Sequence, residues 1–223
     1  MFDQIAKRYD LVNRLLSLGQ DVAWRQEIRK NLPPKANFEL LDIATGTGDV
    51  VLSLVKDNPD IRMAYGVDLS EGMLEIAKIK VKAEGLHSKI MIQKADAQAL
   101  PFVEETFDAV TIAFGIRNIP DLRLALLEMY RVLKKDGRVL ILEFSLPKNP
   151  LIRVGHWIYL NILVPFVGYI FSGHTSAYRY LAQTIETFPY GERFCKILRQ
   201  MGFVNIQSKT FMGGTATLYW AKK

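Results

Sequence analysis

Four aspartates and two glycines carry the first chemical signal. "LLDIATGTGD" places Gly46 and Gly48 just after an apolar run, with Asp42 before the turn and Asp49 after it. Asp68 closes the next apolar run, "IRMAYGVD", and Asp96 follows "KIMIQKA". Glycines at a strand end permit a tight turn and let a ligand approach the backbone closely. Two phosphate-binding patterns use such a loop, and neither fits. G-x-G-x-x-G needs glycine where Val51 stands, and the P-loop needs a Gly-Lys-Ser/Thr that is absent. Acids around the loop repel a pyrophosphate and suit a cation. Asp68 is placed to accept from the two hydroxyls of a ribose. Asp96 is placed to accept from an adenine amino group, beside the backbone N–H of Ala97.

A second signal is "AFGIRNIP", residues 113–120, which closes the buried-strand pattern "FDAVTIAFG". Burying an amide without a partner costs on the order of 2–7 kcal/mol, and a charge more. Arg117 and Asn118 therefore require partners. A ligand at the strand mouth is one reading, and a structural pairing with a carboxylate such as Asp10 is another.

Strands and helices must alternate to place these residues at strand ends. Residues 3–31 read as helical with a break near Gly19. "NFELLDIATG", "IRMAYGVDLS", "KIMIQKADA", "FDAVTIAFG" and "RVLILEFS" read as strands. Between them lie helices "DVVLSLVKDN", "SEGMLEIAKIKVKAEGL" with Ser70 as N-cap, and "LRLALLEMYRVLKKDG" closed by Gly137. This alternation predicts an α/β fold with helices on both faces of a mostly parallel sheet. "GFVNIQSKTF" and "TATLYWAKK", joined through "MGG", predict a hairpin that adds one antiparallel strand to a seven-stranded sheet.

The 223 residues suit a single domain. Its expected parts are an N-terminal helical cap (1–35), a ligand-binding core (36–145), a helical insertion or lid (146–189) and a C-terminal helix with hairpin (190–223). The one cysteine, Cys195, lies in an amphipathic helical pattern and cannot form an internal disulfide. That favours a reducing, cytoplasmic setting. The three histidines are far apart, and no Cys/His cluster has metal-ligand spacing, so no metal is expected. The first ten residues lack an apolar core, so no signal peptide is expected. "WIYLNILVPFVGYIFSG" is interrupted at Asn161, Pro165 and Gly168 and is too short to span a bilayer, which needs about 20 apolar residues. It reads either as helices packed on the sheet or as an apolar lid. The net charge of +6 is scattered. No Pro-Pro-Tyr/Trp-like motif follows the fourth strand, and no basic-aromatic track occurs, so nucleic acid is not an expected partner.

A ligand with an ammonium, a sulfonium, a ribose and an adenine is S-adenosylmethionine. The chain resembles the class I methyltransferases, with a Rossmann-like fold, although Ala44 stands in place of their first loop glycine. Within that class, "YDLVNRLLSLGQDVAW" resembles the first signature of the ubiquinone/menaquinone biosynthesis C-methyltransferases, Tyr-Asp-x-Met-Asn, then Ser, then His-x-x-Trp. Tyr9, Asp10, Asn13, Ser17 and Trp24 match it, while Val12 replaces the methionine and Asp21 the histidine. "RVLKKDGRVLILEFS" resembles the second signature, with Glu143 and Ser145 in place and Lys135–Asp136 replacing Pro-Gly. "AFGIRN" and "YRYLAQTI" are also similar to family stretches.

The resemblance implies methyl transfer to a ring carbon of a polyprenylated hydroquinone, with demethylmenaquinol the favoured acceptor. Another small hydrophobic acceptor, or a non-catalytic role in a biosynthetic complex, stands as the alternative. The cofactor residues expected are Asp42, Ala44, Gly46, Thr47, Gly48, Asp68, Leu69, Asp96, Ala97 and Ala113. Arg117 and Asn118 are expected at the acceptor oxygens, with Tyr9, Asp21 and Tyr178 as further pocket groups. Trp157, Tyr159, Phe166, Tyr169 and Phe171 would form a lid or an interfacial patch against the inner face of the membrane. A homodimer is a further expectation.

Overall fold

Apolar runs of period two alternate with runs of period 3.6, and strands alternate with helices accordingly. The computed structural model describes residues 19–164 and 176–223, excluding the side chains of residues 21 and 176–181. Helix α1 (Gln20–Lys30) leads into β1 (Phe38–Ile43), α2 (Asp49–Asp57), β2 (Ile61–Asp68), α3 (Glu71–Ala83) and β3 (Ile90–Lys94). Then come β4 (Phe107–Ala113), a 3₁₀ turn (Ile116–Asn118), α4 (Leu122–Val132) and β5 (Leu133–Phe144). Helix α5 (Pro150–Ile158) continues as a π turn (Tyr159–Leu163). Helices α6 (Ser176–Thr187) and α7 (Glu192–Gln200) precede the hairpin β6 (Val204–Phe211) and β7 (Ala216–Lys222).

The seven strands form one sheet in the order β3-β2-β1-β4-β5-β7-β6. Pairings from β3 across to β5 are parallel, and β7 runs antiparallel to both β5 and β6. This is the seven-stranded, mostly parallel sheet with one antiparallel strand that the sequence predicts. Side-chain alternation divides the core between the two faces. Leu41, Ile43, Val110, Ile112, Val139, Ile141 and Tyr219 pack on one side against α4 and α7. Leu40, Ala109, Leu140, Leu142 and Leu218 pack on the other against α1, α2 and α3. With both faces covered, the central strands are buried on both sides, so their few polar side chains, such as Asp42, Thr111 and Glu143, sit inside the protein.

The third predicted helix is shorter than expected. It stops at Val132 instead of running to Gly137. The carbonyls of Arg131 and Val132 accept from the N–H groups of Glu105 and Thr106, at 3.0 and 2.9 Å, so the last two carbonyls of the helix are engaged by another loop. Leu133 then enters β5 opposite Phe107. The bend at "KKDG" puts Asp136 at φ 61°, a left-handed conformation. That explains why the signature it resembles carries glycine there, and aspartate is among the few other residues that adopt it readily. Ser70 caps α3 as predicted, its hydroxyl accepting from Met73 N at 3.3 Å.

Candidate active site

Strands β1 and β4 are neighbours, yet the chain leaves β1 toward β2 on one side and β4 toward β5 on the other. Ligands in open α/β sheets bind at such a switch point, at the carboxyl ends of the strands. The loop after β1 turns through three left-handed residues, Ala44 (φ 51°), Gly46 (φ 56°) and Gly48 (φ 83°). It touches the loop after β4: a Cβ added to Gly115 would lie 2.4 Å from the Cβ of Ala44. Alanine at position 44 is thus accommodated by glycine at position 115. Gly115 itself has φ −112°, which any residue adopts, so its need is purely steric. Gly115→Ala is expected to cost about 1–3 kcal/mol of stability, and Gly115→Ala with Ala44→Gly to recover most of it. Denaturant unfolding of the three variants checks this, and an equal loss in the double variant would sink the pairing.

Asp42 does not open onto the loop's outer surface. It is 1% exposed and accepts from the hydroxyls of Thr45 and Thr111, both at 2.6 Å. Its carboxylate therefore ties the glycine loop to β4 from behind. Burial pushes it up to about 6 from an ordinary 3.8, against the two hydroxyl bonds and with help from the charge of Asp68. A carboxyl raised on folding contributes stability that is complete below about pH 4 and lost as pH rises through about 6. The comparison of Asp42→Asn with the parent should consequently move in the variant's favour between pH 4 and 7.5, on the order of 3 kcal/mol in all. Thermal melts across that range check it. A difference that is constant with pH would mean an unshifted carboxyl.

Asp49, read from the sequence as a second acid for a cation, is already neutralised. Lys80 of α3 reaches it at 2.7 Å and Arg25 of α1 at 3.1 Å. Burial raises the Asp49 carboxyl, but Lys80 and then Arg25 outweigh that and hold it low. Lys80 also donates to the buried Thr47 hydroxyl at 3.1 Å. No local pattern announces this clamp, because its members come from three helices.

Asp68 is half-buried at the end of β2. One carboxylate oxygen accepts from Gly46 N and the other from Ser70 N, each at 2.9 Å. An ionised carboxylate has about four acceptor positions, so each oxygen can still accept from a ribose hydroxyl. Leu69 beside it is 57% exposed, an apolar surface suited to an adenine face. Asp96 accepts from Gln98 N at 2.9 Å, and Ala97 is buried. Ala113, half-buried at the end of β4, offers no hydroxyl. Asp68 and Leu69 at the end of β2, and Asp96 and Ala97 after β3, thus set carboxylate acceptors and an exposed apolar side chain, groups that suit a nucleoside, at the carboxyl edge of the sheet. The residues present fit S-adenosylmethionine, which supplies an electrophilic methyl group on a cationic sulfur.

Arg117 has an internal partner. Its side chain is 6% exposed and paired with Glu143 of β5, which is 0% exposed. Arg117 Nη1 also donates to the Phe114 carbonyl at 2.6 Å. So the structural partner is Glu143; Asp10 lies outside the described residues. Among the described residues, Arg117 Nε is the buried side-chain polar atom left without a hydrogen-bond partner. Leaving such a donor unmet costs about 1–3 kcal/mol. Phe114 is itself held at φ 57°, a strained conformation for a bulky residue. Its ring packs on Phe144 at 4.5 Å and on Trp24 at 5.5 Å, and the Arg117 guanidinium lies 5.2 Å from the Phe144 centroid. Trp24, carried by the first signature, is thereby explained as an aromatic wall. Asn118 follows in the 3₁₀ turn, half-buried, with its backbone N–H on Gly115 O. Tyr9 and the side chains of Asp21 and Tyr178 lie outside the described residues.

A seven-stranded Rossmann-like sheet with an acid-flanked glycine loop at its switch point is the class I methyltransferase fold. A solved SAM-dependent methyltransferase from Aquifex aeolicus shares this fold with a TM-score of 0.64, at 19% identity over 88% of each chain. The chain belongs to the ubiE/COQ5 methyltransferase family, whose profile matches residues 1–223. It is 43% identical over 223 residues to the ubiquinone/menaquinone biosynthesis C-methyltransferase UbiE of Geotalea uraniireducens, covering 100% of this chain and 94% of that one. It is 42% identical over 224 residues to the demethylmenaquinone methyltransferase of Bacteroides fragilis, covering 100% and 91%. The protein is an S-adenosylmethionine-dependent C-methyltransferase.

Proposed function

We propose that the methyl acceptor is a ring carbon of a polyprenylated hydroquinone, and that demethylmenaquinol is the favoured substrate. The observation that carries this reading is the corner beside the glycine loop, where a buried guanidinium with an unmet N–H lies over the Phe144 ring, itself packed with Phe114 and Trp24. A flat aromatic ring bearing an oxyanion suits such a corner. The relatives named for quinone methylation support it from the sequence side.

A ring carbon becomes nucleophilic when a neighbouring hydroxyl loses its proton. Its attack breaks the sulfur–methyl bond, releasing S-adenosylhomocysteine, and the ring carbon then gives up its hydrogen as a proton so that the ring is again aromatic. Arg117 holds the resulting oxyanion by a hydrogen bond from its unpartnered Nε–H, its charge being shared with Glu143. It is not the base, because a guanidinium offers donors and no acceptor for the proton. Asn118 orients the ring through a second polar contact. Attraction between a cationic cofactor and an anionic ring also stabilises the ground state, so it gives little acceleration by itself. The residues contribute alignment and a dry, aromatic-walled setting. Anaerobic assays with labelled S-adenosylmethionine should methylate reduced demethylmenaquinol in preference to a reduced methoxy-polyprenyl-benzoquinol. Label confined to the benzoquinol would reverse the preference, and label in neither would end the reading.

A prenyl tail keeps such a substrate in the bilayer, so the enzyme must meet the surface. Among the described residues no helix is long and apolar enough to cross a membrane. Helix α5 instead turns an apolar face outward, with Leu151 84%, Val154 60% and Trp157 53% exposed. Lys148 and Arg153 lie exposed on or beside it, suited to anionic lipid. The Tyr159 side packs inward with Leu160 toward α6, while Phe166, Tyr169 and Phe171 lie outside the described residues. Leu151→Ser with Trp157→Ser should abolish cosedimentation with phosphatidylglycerol-rich vesicles; undiminished binding would refute the docking face.

A further inference from the structure

The Arg117 guanidinium is planar, so two fixed contacts at one nitrogen set the direction of the others. Both contacts fall on Nη1: the Phe114 carbonyl and the Glu143 carboxylate. Glu143 is in turn immobilised. It is 0% exposed at the end of β5, accepts from Phe144 N at 2.8 Å, and lies 3.4 Å from Arg117 N. The strand carrying it is bonded on both sides, to β4 and to β7, with Glu143 opposite Thr217. The carboxylate is therefore a rigid stop, and the Arg117 Nε–H is a buried donor left without a partner.

We propose that Glu143 is a positioning residue for methyl transfer: by pinning Arg117 Nη1 it aims the Nε–H at the acceptor oxyanion. This rests on the reading that Arg117 meets the acceptor oxygen. Glu143 touches neither substrate nor cofactor on this account, and it acts through the arginine. Removing its charge while keeping its shape should then lower turnover and leave cofactor binding intact.

The test is a cycle of Glu143→Gln, Arg117→Lys and the double variant, with cofactor affinity by calorimetry and turnover on reduced demethylmenaquinol. Glu143→Gln should lower kcat about 10–100-fold, with the cofactor dissociation constant within about fivefold of the parent. The double variant should fall no more than about threefold below Arg117→Lys alone, because both changes remove one interaction. Multiplying losses, or parental kcat in Glu143→Gln, would overturn the inference. Glu143→Gln leaves the buried guanidinium without its counter-charge, so melting temperature is read beside kcat. Should the variant not fold, Glu143→Asp keeps the charge but withdraws it by a methylene. It carries the same expected loss of kcat with cofactor affinity retained, and parental kcat there overturns the inference too. Parental activity in Arg117→Lys would instead sink the reading of Arg117 on which this one rests.

Discussion

Arg117→Lys is expected to lower single-turnover methyl transfer by about 10²–10³-fold while cofactor affinity stays within about threefold. Lysine keeps a cation opposite the buried Glu143 carboxylate, so the ion pair is not left half-empty. Breaking it outright, as in Arg117→Met, would cost about 3–5 kcal/mol and confound rate with folding. What lysine lacks is the planar fork and the Nε–H, which is the buried donor without a partner. The loss should therefore appear in kcat, and in the ratio of kcat to KM for the acceptor, with a melting temperature near the parent's. Rapid-quench assays with labelled cofactor read the chemical step directly. A lysine variant at parental speed would mean that Arg117 serves the fold alone.

Asp68→Asn should weaken S-adenosylmethionine binding by about 2–4 kcal/mol, roughly 30- to 1000-fold. Both carboxylate oxygens accept from backbone N–H groups, of Gly46 and of Ser70, at 2.9 Å. An asparagine must turn its amide NH₂ toward one of them, donor against donor. It also loses the charge that strengthens hydrogen bonds from a ribose. The glycine loop loosens at the same moment, because Gly46 N is one of the two donors. Calorimetry with S-adenosylmethionine and with S-adenosylhomocysteine should show the same loss for both, since the ribose is common to them. Affinity within threefold of the parent would remove Asp68 from the cofactor site.

Local patterns made much of this site legible. Residues near in sequence share a turn or a strand, and their chemistry depends little on the rest of the fold. The glycine loop, the acids ending β2 and β3, the Ser70 cap and the Arg-Asn pair after β4 are all of this kind. The strand and helix periods likewise follow from the side-chain repeat, and they were enough to predict the sheet and its antiparallel strand. A helix end proved less legible. "RVLKKDG" has helical spacing, but the N–H groups of Glu105 and Thr106 capture the last carbonyls and end α4 at Val132. Those groups arrive from another loop, and nothing within the helix announces them.

The sequence by itself determined the class of chemistry: a cation-tolerant nucleoside site on a parallel sheet, with an arginine and an asparagine beside it. Only the tertiary structure decided which charges remain available. Asp49 looked like a ligand acid until Lys80 and Arg25 came to rest on it. Asp42 turned inward to two hydroxyls. Arg117 found Glu143, 26 residues away, and kept its buried Nε without a partner. Charge pairing and desolvation depend on distance in space, and adjacency of β1, β4 and β5 sets those distances. Residue type says what a group can do; packing says whether its charge is already spent on a neighbour.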